Sequence, residues 1–284
     1  GADTVLRDSV LPLRRAGALT LVAAADPLQT EATRDTLEAL FGPVAVARAS
    51  RGAIENALVQ IRQNALADRA ERRTHGDYSC RHLGTKRALY GWGAAALVLI
   101  LAAIFFPIAL FGGLVAWASF CFFLSTLLRL VAAFAAGRSQ PPKAPPVPAP
   151  DLPTISILVP LFREKDIAER LVSRLSALDY PTDRLDICLI IEKYDTITRA
   201  ALNQASLPAH MRQIVVPPGN LQTKPRAMNY TLDFARGDIV GIYDAEDAPA
   251  PDQLRIVAAE FAAASREVAC LQGRLDFYNP RANW

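Results

Sequence analysis

GDIVGIYDAEDAPAPD, residues 237–252, runs an apolar strand (Ile239–Tyr243) directly into three carboxylates, Asp244, Glu246 and Asp247. Carboxylates crowded at a strand end lose hydration and repel one another. A bound divalent cation removes that conflict. On extended backbone, residues two apart share a side, so Asp244 and Glu246 are expected to point together. Hard oxygen ligands of this kind suit Mg2+ or Mn2+, with phosphate oxygens completing the shell. A solvated acidic turn is the alternative, and this stretch alone does not choose between the two.

The residues on either side extend the pattern. Ile155–Val159, Ile187–Ile191 and Ile214–Val216 are apolar runs of strand length. Asp166–Leu178, Thr198–Gln204, Pro225–Ala235 and Asp252–Ala264 carry helical spacing, and Val268–Gln272 reads as the start of a fifth strand. Strands separated by helices predict an α/β fold with a mostly parallel sheet and right-handed crossovers. Ligands of such sheets bind beyond the carboxyl ends of the strands.

Around the acidic turn lie LVPLFRE (Leu158–Glu164) after the first strand, KPRAMNY (Lys224–Tyr230) opening a helix, and the trailing Pro249 and Pro251. This set, in this order within residues 154–284, resembles the family 2 glycosyltransferases, which are inverting enzymes with a GT-A fold. The resemblance implies that Asp244 and Glu246 are the Asp-x-Asp pair that holds a metal on the nucleotide diphosphate, with Asp247 as the other candidate ligand. It implies that Lys224 lies beside the diphosphate and that Pro160 and Glu164 lie near the nucleotide, although Arg163 stands where the family has asparagine. The family's second strand ends in acids that bind the uridine. Here Glu192 and Asp195 are available, and Asp195 reads equally well as a helix N-cap. Asn229 and Gln272 are further candidates. The implied reaction moves a sugar from a UDP-sugar donor to a glycan acceptor with inversion, the cation offsetting charge on the departing UDP. The family's general base lies well beyond the metal motif, so the resemblance covers the donor-binding half of the domain and leaves the base unassigned, beyond Trp284.

From Ala88 to Leu128 there is no Asp, Glu, Lys or Arg, about twice the length that one membrane span needs. Within residues 88–136 two transmembrane helices are expected, near 89–110 and 114–135, turning around Pro107, Gly112 and Gly113. Arg129 can snorkel to the interface. Arg81, His82, Lys86 and Arg87 precede the run, and Arg138 and Lys143 follow it. By the positive-inside rule both flanks are cytoplasmic. That places a multi-pass protein in the inner (cytoplasmic) membrane, with the lipid bilayer as a partner and the N-terminal and catalytic domains in the cytoplasm. With these spans the likeness narrows to polysaccharide synthases of the cellulose-synthase-like kind. Residues 137–153 are proline-rich and read as a semi-rigid spacer.

Residues 1–68 read as a small α/β unit: strand Leu19–Ala24, helix Glu31–Leu40, strand Val44–Val46, and a helix capped by Ser50 that runs through Ile54, Leu58 and Ile61. After the lead-in Pro12–Arg15, this order resembles the N-terminal domain of type II secretion ATPases. That implies a docking or regulatory role and a protein partner. The chain has no Gly-x-x-x-x-Gly-Lys-Ser/Thr, so it is not such an ATPase itself. Residues 69–87 read as a basic linker. A 51% hydrophobic fraction argues against disorder. A net charge of +3 without a basic stripe gives no reason to expect a nucleic-acid partner. The four cysteines (Cys80, Cys121, Cys188, Cys270) form no Cys-x-x-Cys pair. The alternative reading is a non-catalytic docking or regulatory module with a degenerate transferase-like domain, favoured by Glu246 in place of aspartate.

Overall fold

The computed structural model describes residues 9–32, 34–79, 86–138, 145–164 and 168–273. The chain forms two compact units, one of residues 1–73 with 144–284 and one of residues 74–143.

In the first unit the C-terminal part is a parallel sheet of β4 (Ile155–Leu161), β5 (Leu185–Glu192), β6 (Met211–Val216) and β7 (Ile239–Ile242), in the order β6-β5-β4-β7. This is the α/β architecture expected from the alternation of strands and helices. Every residue of β5 is buried, as suits a strand flanked on both sides and covered on both faces. Its polar residues, Asp186 and Glu192, stand near its two ends. Pro160 lies within β4 rather than after it. It is tolerated because β4–β7 pairing ends at Leu158 and Ile242, so the missing Pro160 N–H takes nothing from that ladder. The strand order reverses between β4 and β7, and the crevice at their carboxyl ends is where such a sheet takes its ligand.

One sheet face is covered by α6 (Ala168–Ser176), α7 (Thr196–Gln204) and α9 (Gln253–Ala263), through Leu171, Leu175, Leu202, Leu254 and Ala258. The opposite face presents Leu158, Cys188, Ile190, Ile214 and Val216. Ala227 and Tyr230 of α8 (Lys224–Leu232) cover only part of it. The remainder is covered by Ile54, Leu58, Leu66 and Ala70 of α3 (Arg51–Arg72), a helix from the N-terminal segment. The two segments therefore share one core.

The N-terminal segment holds β1 (Val10–Ala16), β2 (Leu19–Ala24) and β3 (Val44–Arg48), with α1 (Pro27–Ala32) and α2 (Arg34–Phe41) between β2 and β3. β1 corrects the reading of Pro12–Arg15 as a lead-in. It pairs antiparallel with β2, and its irregularity between Pro12 and Arg14 hides the strand alternation from the sequence. β2 pairs parallel with β3. Ser50 caps α3 as expected, its Oγ accepting the Ala53 N–H at 3.2 Å. The helix then continues to Arg72, so residues 69–72 are helix and not linker. Leu66, Ala67 and Ala70 are buried there, a stripe masked by the charges around it.

Arg62, at φ −122° and ψ 17°, interrupts α3. Without that break, residues 16 apart such as Glu55 and Glu71 would stand about 160° apart around the axis. With it, both reach the transferase-like segment. Glu55 accepts from Arg236 Nη2 at 3.1 Å and from Arg212 Nη1 at 3.1 Å. Arg212 Nε donates to Asp186 Oδ1 at 2.6 Å. This cluster staples the amino-terminal edge of the sheet.

In the second unit, α4 (Lys86–Phe105) and α5 (Pro107–Arg138) contain stretches, Ala88–Phe105 and Pro107–Ala135, long and apolar enough to cross a membrane. The expected turn at Gly112 and Gly113 is helical instead. Phe106 N–H donates to Ala102 C=O at 2.8 Å and Leu110 N–H to Phe106 C=O at 3.0 Å. These are helical bonds carried across the junction, where Pro107 lacks the N–H for one rung. Lys86, Arg87 and Arg138 are the first two and the last residues of these helices, while Arg81, His82 and Lys143 lie outside the described residues. Val268–Gln272 is also not a strand: Val268 closes a turn on Ser265, and both Val268 and Leu271 remain exposed.

Because α3 completes the sheet face, residues 145–284 expressed without residues 1–73 are expected to show no cooperative thermal unfolding. In the full chain, Leu66→Ala is expected to cost about 2–5 kcal/mol in a denaturant titration. Cooperative unfolding of the truncated piece at an undiminished midpoint would contradict the shared core.

Candidate donor-binding site

Three groups of side chains gather at the carboxyl ends of β4, β5 and β7. The first centres on Asp195, which is buried at the start of α7. Its Oδ2 accepts from Arg163 N–H at 2.6 Å and Thr198 Oγ1 at 2.7 Å, and its Oδ1 accepts from Thr198 N–H at 3.1 Å. Burial opposes the charge, but the hydrogen bonds led by Arg163 N–H prevail, and the Asp195 carboxyl is held below its usual pKa. Arg163 has φ +57°, a left-handed conformation that costs a non-glycine residue about 1–2 kcal/mol. Asp195 holds that strained loop, and Thr198 Oγ1 accepts the next N–H, from Glu164, at 2.8 Å. Asp195 is thus an N-cap and a loop anchor, its oxygens already taken by protein donors. Beside it Phe162 and Tyr194 meet edge to face at 6.2 Å, and the Arg163 guanidinium lies 5.1 Å from the Phe162 ring centre. With Asp195, Thr196 and Ile197 they line a cleft of about 260 Å3.

The second group stands at the end of β7. Lys224, the first residue of α8, forms an ion pair with Asp244. Both side chains are about half exposed. The acidic stretch is a tight turn and not extended backbone: Asp247 N–H donates to Asp244 C=O at 3.1 Å, and Asp244 N–H donates to Asp247 Oδ2 at 2.7 Å. That corrects the expectation of extended backbone from Asp244 to Glu246. Glu246 is exposed, and its C=O accepts from Arg174 Nη1 at 2.9 Å. Among the described residues no three His, Cys, Asp or Glu side chains converge as a metal cluster. Asp244 is a half-exposed carboxylate with Lys224 beside it, and the Asp247 carboxylate is folded against its backbone. That donor set fits a hydrated Mg2+ or Mn2+ drawing its other ligands from a diphosphate.

The third group is buried. Arg226, two residues into α8, lies between Glu192 at the end of β5, with Nη1 3.7 Å from Oε2, and Glu71 of α3, with Nε 3.2 Å from Oε1. Among the described residues, Glu192 Oε2 and Arg226 Nη1 have no hydrogen-bond partner. Burial raises the Glu192 pKa against the pull of Arg226. The first turn of α8 therefore reaches from Glu192 to Asp244, across the end of β4.

Of the residues expected from the sequence, Lys224, Asp244 and Asp247 are brought together, and Glu192 joins them through Arg226. Pro160 is inside β4, half-buried, and Glu164 stands half-buried next to the cleft. Asn229 faces the other way, its Nδ2 donating to Ala70 C=O at 3.2 Å, and Gln272 is exposed. Arg226 and Glu71 escaped sequence reasoning. Arg226 sat inside a quoted motif without a role, and Glu71 sat in a presumed linker.

Residues 153–284 match the family described as glycosyltransferase like family 2. This segment is thus similar to glycosyltransferases of family 2. The chain is 29% identical over 153 residues to the beta-monoglucosyldiacylglycerol synthase of Synechocystis sp., covering 52% of this chain and 32% of that protein. It is 28% identical over 101 residues to the probable glycosyltransferase YdaM of Bacillus subtilis, covering 35% of this chain and 24% of that protein. The chain thus spans a third or less of the length of these relatives. Among solved structures, the mannosyltransferase PcManGT from Pyrobaculum calidifontis, in complex with GDP-Man and Mn2+, aligns at 26% identity and a TM-score of 0.39, covering 46% of this chain and 39% of that one.

Asp195 and Asp186 both have depressed pKa values. Burial opposes the charge of Asp186, and hydrogen bonds from Arg212 and Ser156 outweigh it. A carboxylate with a lowered folded pKa stabilises the fold above its unfolded value, here 3.8, and loses that contribution as pH falls through the folded value. In a urea titration the contribution of these two carboxylates is expected to be complete above about pH 5 and to fall away below about pH 4. Asp195→Ala is expected to cost about 2 kcal/mol and flatten part of that drop. An unchanged acid profile in this variant would contradict the anchoring role.

Proposed function

We propose that the chain binds a UDP-sugar through Mg2+ or Mn2+ at the crevice beside β7, and serves a membrane glycosyltransferase that inverts the sugar as it passes to a glycan acceptor. The observation that carries this reading is the pairing of Lys224 with Asp244 at the strand end. One side chain can meet a diphosphate and the other the cation that accompanies it. When the donor binds, the Lys224 ammonium exchanges its carboxylate partner for phosphate oxygen. Asp244, with Asp247 alongside, would hold the cation, which would supply electrophilic assistance to the departing UDP. The aromatic cleft of Phe162 and Tyr194 next to Glu164 suits the uridine. Glu192 fixes Arg226 under the floor of the site. The general base is unassigned within the described residues.

The GT-A fold and the cellulose-synthase-like likeness belong to the same reading. So does the cytoplasmic placement of the first unit at the inner membrane. An apolar run of this length, at about 1.5 Å per residue, is more than twice the roughly 30 Å hydrocarbon thickness. Two stretches of sufficient length, Ala88–Phe105 and Pro107–Ala135, support two crossings. A lipid acceptor is a second reading, favoured by the diacylglycerol in the name of the Synechocystis relative. The likeness of the N-terminal segment to secretion ATPase domains supports a regulatory role for it.

The test is calorimetric titration of UDP into the full chain in nanodiscs, with and without Mn2+. Binding is expected to require Mn2+, to disappear in Asp244→Ala and to weaken about tenfold in Lys224→Ala. Failure of the folded wild-type chain to bind would favour the non-catalytic module, and metal-independent binding unaffected by either substitution would overturn the site.

A further inference from the structure

We infer that Glu71, which lies outside the transferase-like segment, is a positioning residue of the donor site: it fixes the 219–221 loop and Arg226, and through them the start of α8 that carries Lys224. This rests on the donor-site reading above.

Glu71 accepts four hydrogen bonds from that region. Its Oε1 takes Asn220 N–H at 2.7 Å, Leu221 N–H at 3.4 Å and Arg226 Nε at 3.2 Å, and its Oε2 takes Asn220 Nδ2 at 3.3 Å. These bonds, with Arg226 nearby, hold its carboxyl below the usual pKa against the opposing effect of burial. Arg226 is 1% exposed at its side chain and donates from Nη2 to Pro217 C=O at 2.7 Å. The guanidinium thus closes the loop at 217, at 226 and, through Glu71, at 220 and 221. Lys224 lies between those anchors.

Gly219 shows how tightly the pair is fitted to the loop. A Cβ there would stand 2.2 Å from Glu71 Oε1 and 2.3 Å from Arg226 Nη2, closer than any real contact. These bonds are not needed simply to keep α3 docked. The helix is already held by its apolar stripe and, at its other end, by Glu55 with Arg212 and Arg236. What Glu71 adds is the conformation of the loop. Without it, Arg226 is left buried with Glu192 as its facing counter-charge, and the N–H groups of Asn220 and Leu221 lose their shared acceptor. Leaving a buried charge with fewer partners forces rearrangement, and the rearranging segment is the one that delivers Lys224 to Asp244.

The test measures the Kd of UDP with Mn2+ for the full chain in nanodiscs, together with thermal unfolding, in the wild type, Glu71→Ala, Glu71→Gln, Gly219→Ala and Glu55→Ala. Glu71→Ala and Gly219→Ala are each expected to raise the Kd about tenfold, with Glu71→Gln in between. Glu55→Ala is expected to lower the unfolding temperature while leaving the Kd within about twofold, as a merely stabilising bridge should. If Glu71→Ala does not fold, Gly219→Ala decides. A wild-type chain that binds no UDP overturns the donor reading and this inference with it. Wild-type binding with the Kd unchanged in the Glu71 and Gly219 variants overturns this inference alone, as does an equal loss in Glu55→Ala.

Discussion

The structure depends on the seating of α3 against the open face of the β6-β5-β4-β7 sheet. A parallel sheet buries both faces, and one crossover helix, α8, is too short to cover the face that Leu158, Ile190 and Val216 present. α3 supplies the missing layer from a segment that lies before the membrane helices in the chain. Glu55 and Glu71 sit 16 residues apart, about 24 Å along a helix, close to the length of the strands beneath. One carboxylate therefore meets arginines at the amino-terminal edge of the sheet, and the other meets Arg226 at the carboxyl edge. The irregularity at Arg62 allows both to face the same partner.

This arrangement changes what the N-terminal segment is. Sequence reading separates residues 1–68 from residues 154–284 as two domains joined by linkers and membrane helices. In the structure the apolar stripe of α3 is covered within the chain itself. Any regulatory signal received by β1–β3 would have a short physical route to the donor crevice through Glu71 and the loop before α8.

Much of the fold was legible. The sheet strands are apolar runs bounded by Pro, Gly and Asp, and their alternation with helices fixes parallel pairing. The Ser50 cap and the apolar spacing after it announced α3. What failed did so for identifiable reasons. Pro12 and its neighbouring arginines disguised β1, and the charges flanking Ala70 disguised the last turns of α3. Two glycines in an apolar run suggested a reversal that backbone hydrogen bonding does not make. At the site, Lys224 and Asp244 were singled out by the resemblance of the motifs that hold them, and the structure brings the two together as an ion pair. The geometry of Glu246 was not legible, because a turn closed by Asp247 on the Asp244 backbone replaces the extended segment expected there. Arg226 and Glu71 were not legible at all, since their pairing joins positions far apart in the sequence, and only the seating of α3 brings them together.

The claim that these segments form one body is tested most directly by native-state hydrogen exchange on the full chain in nanodiscs, followed amide by amide across α3, β4 and β5. The account predicts that the slowest amides of α3 open with the same free energy as those of β4 and β5, as members of one cooperative unit. Exchange from α3 several kcal/mol more readily than from β4 and β5 would contradict it, because the helix would then be resting on a core that stands without it.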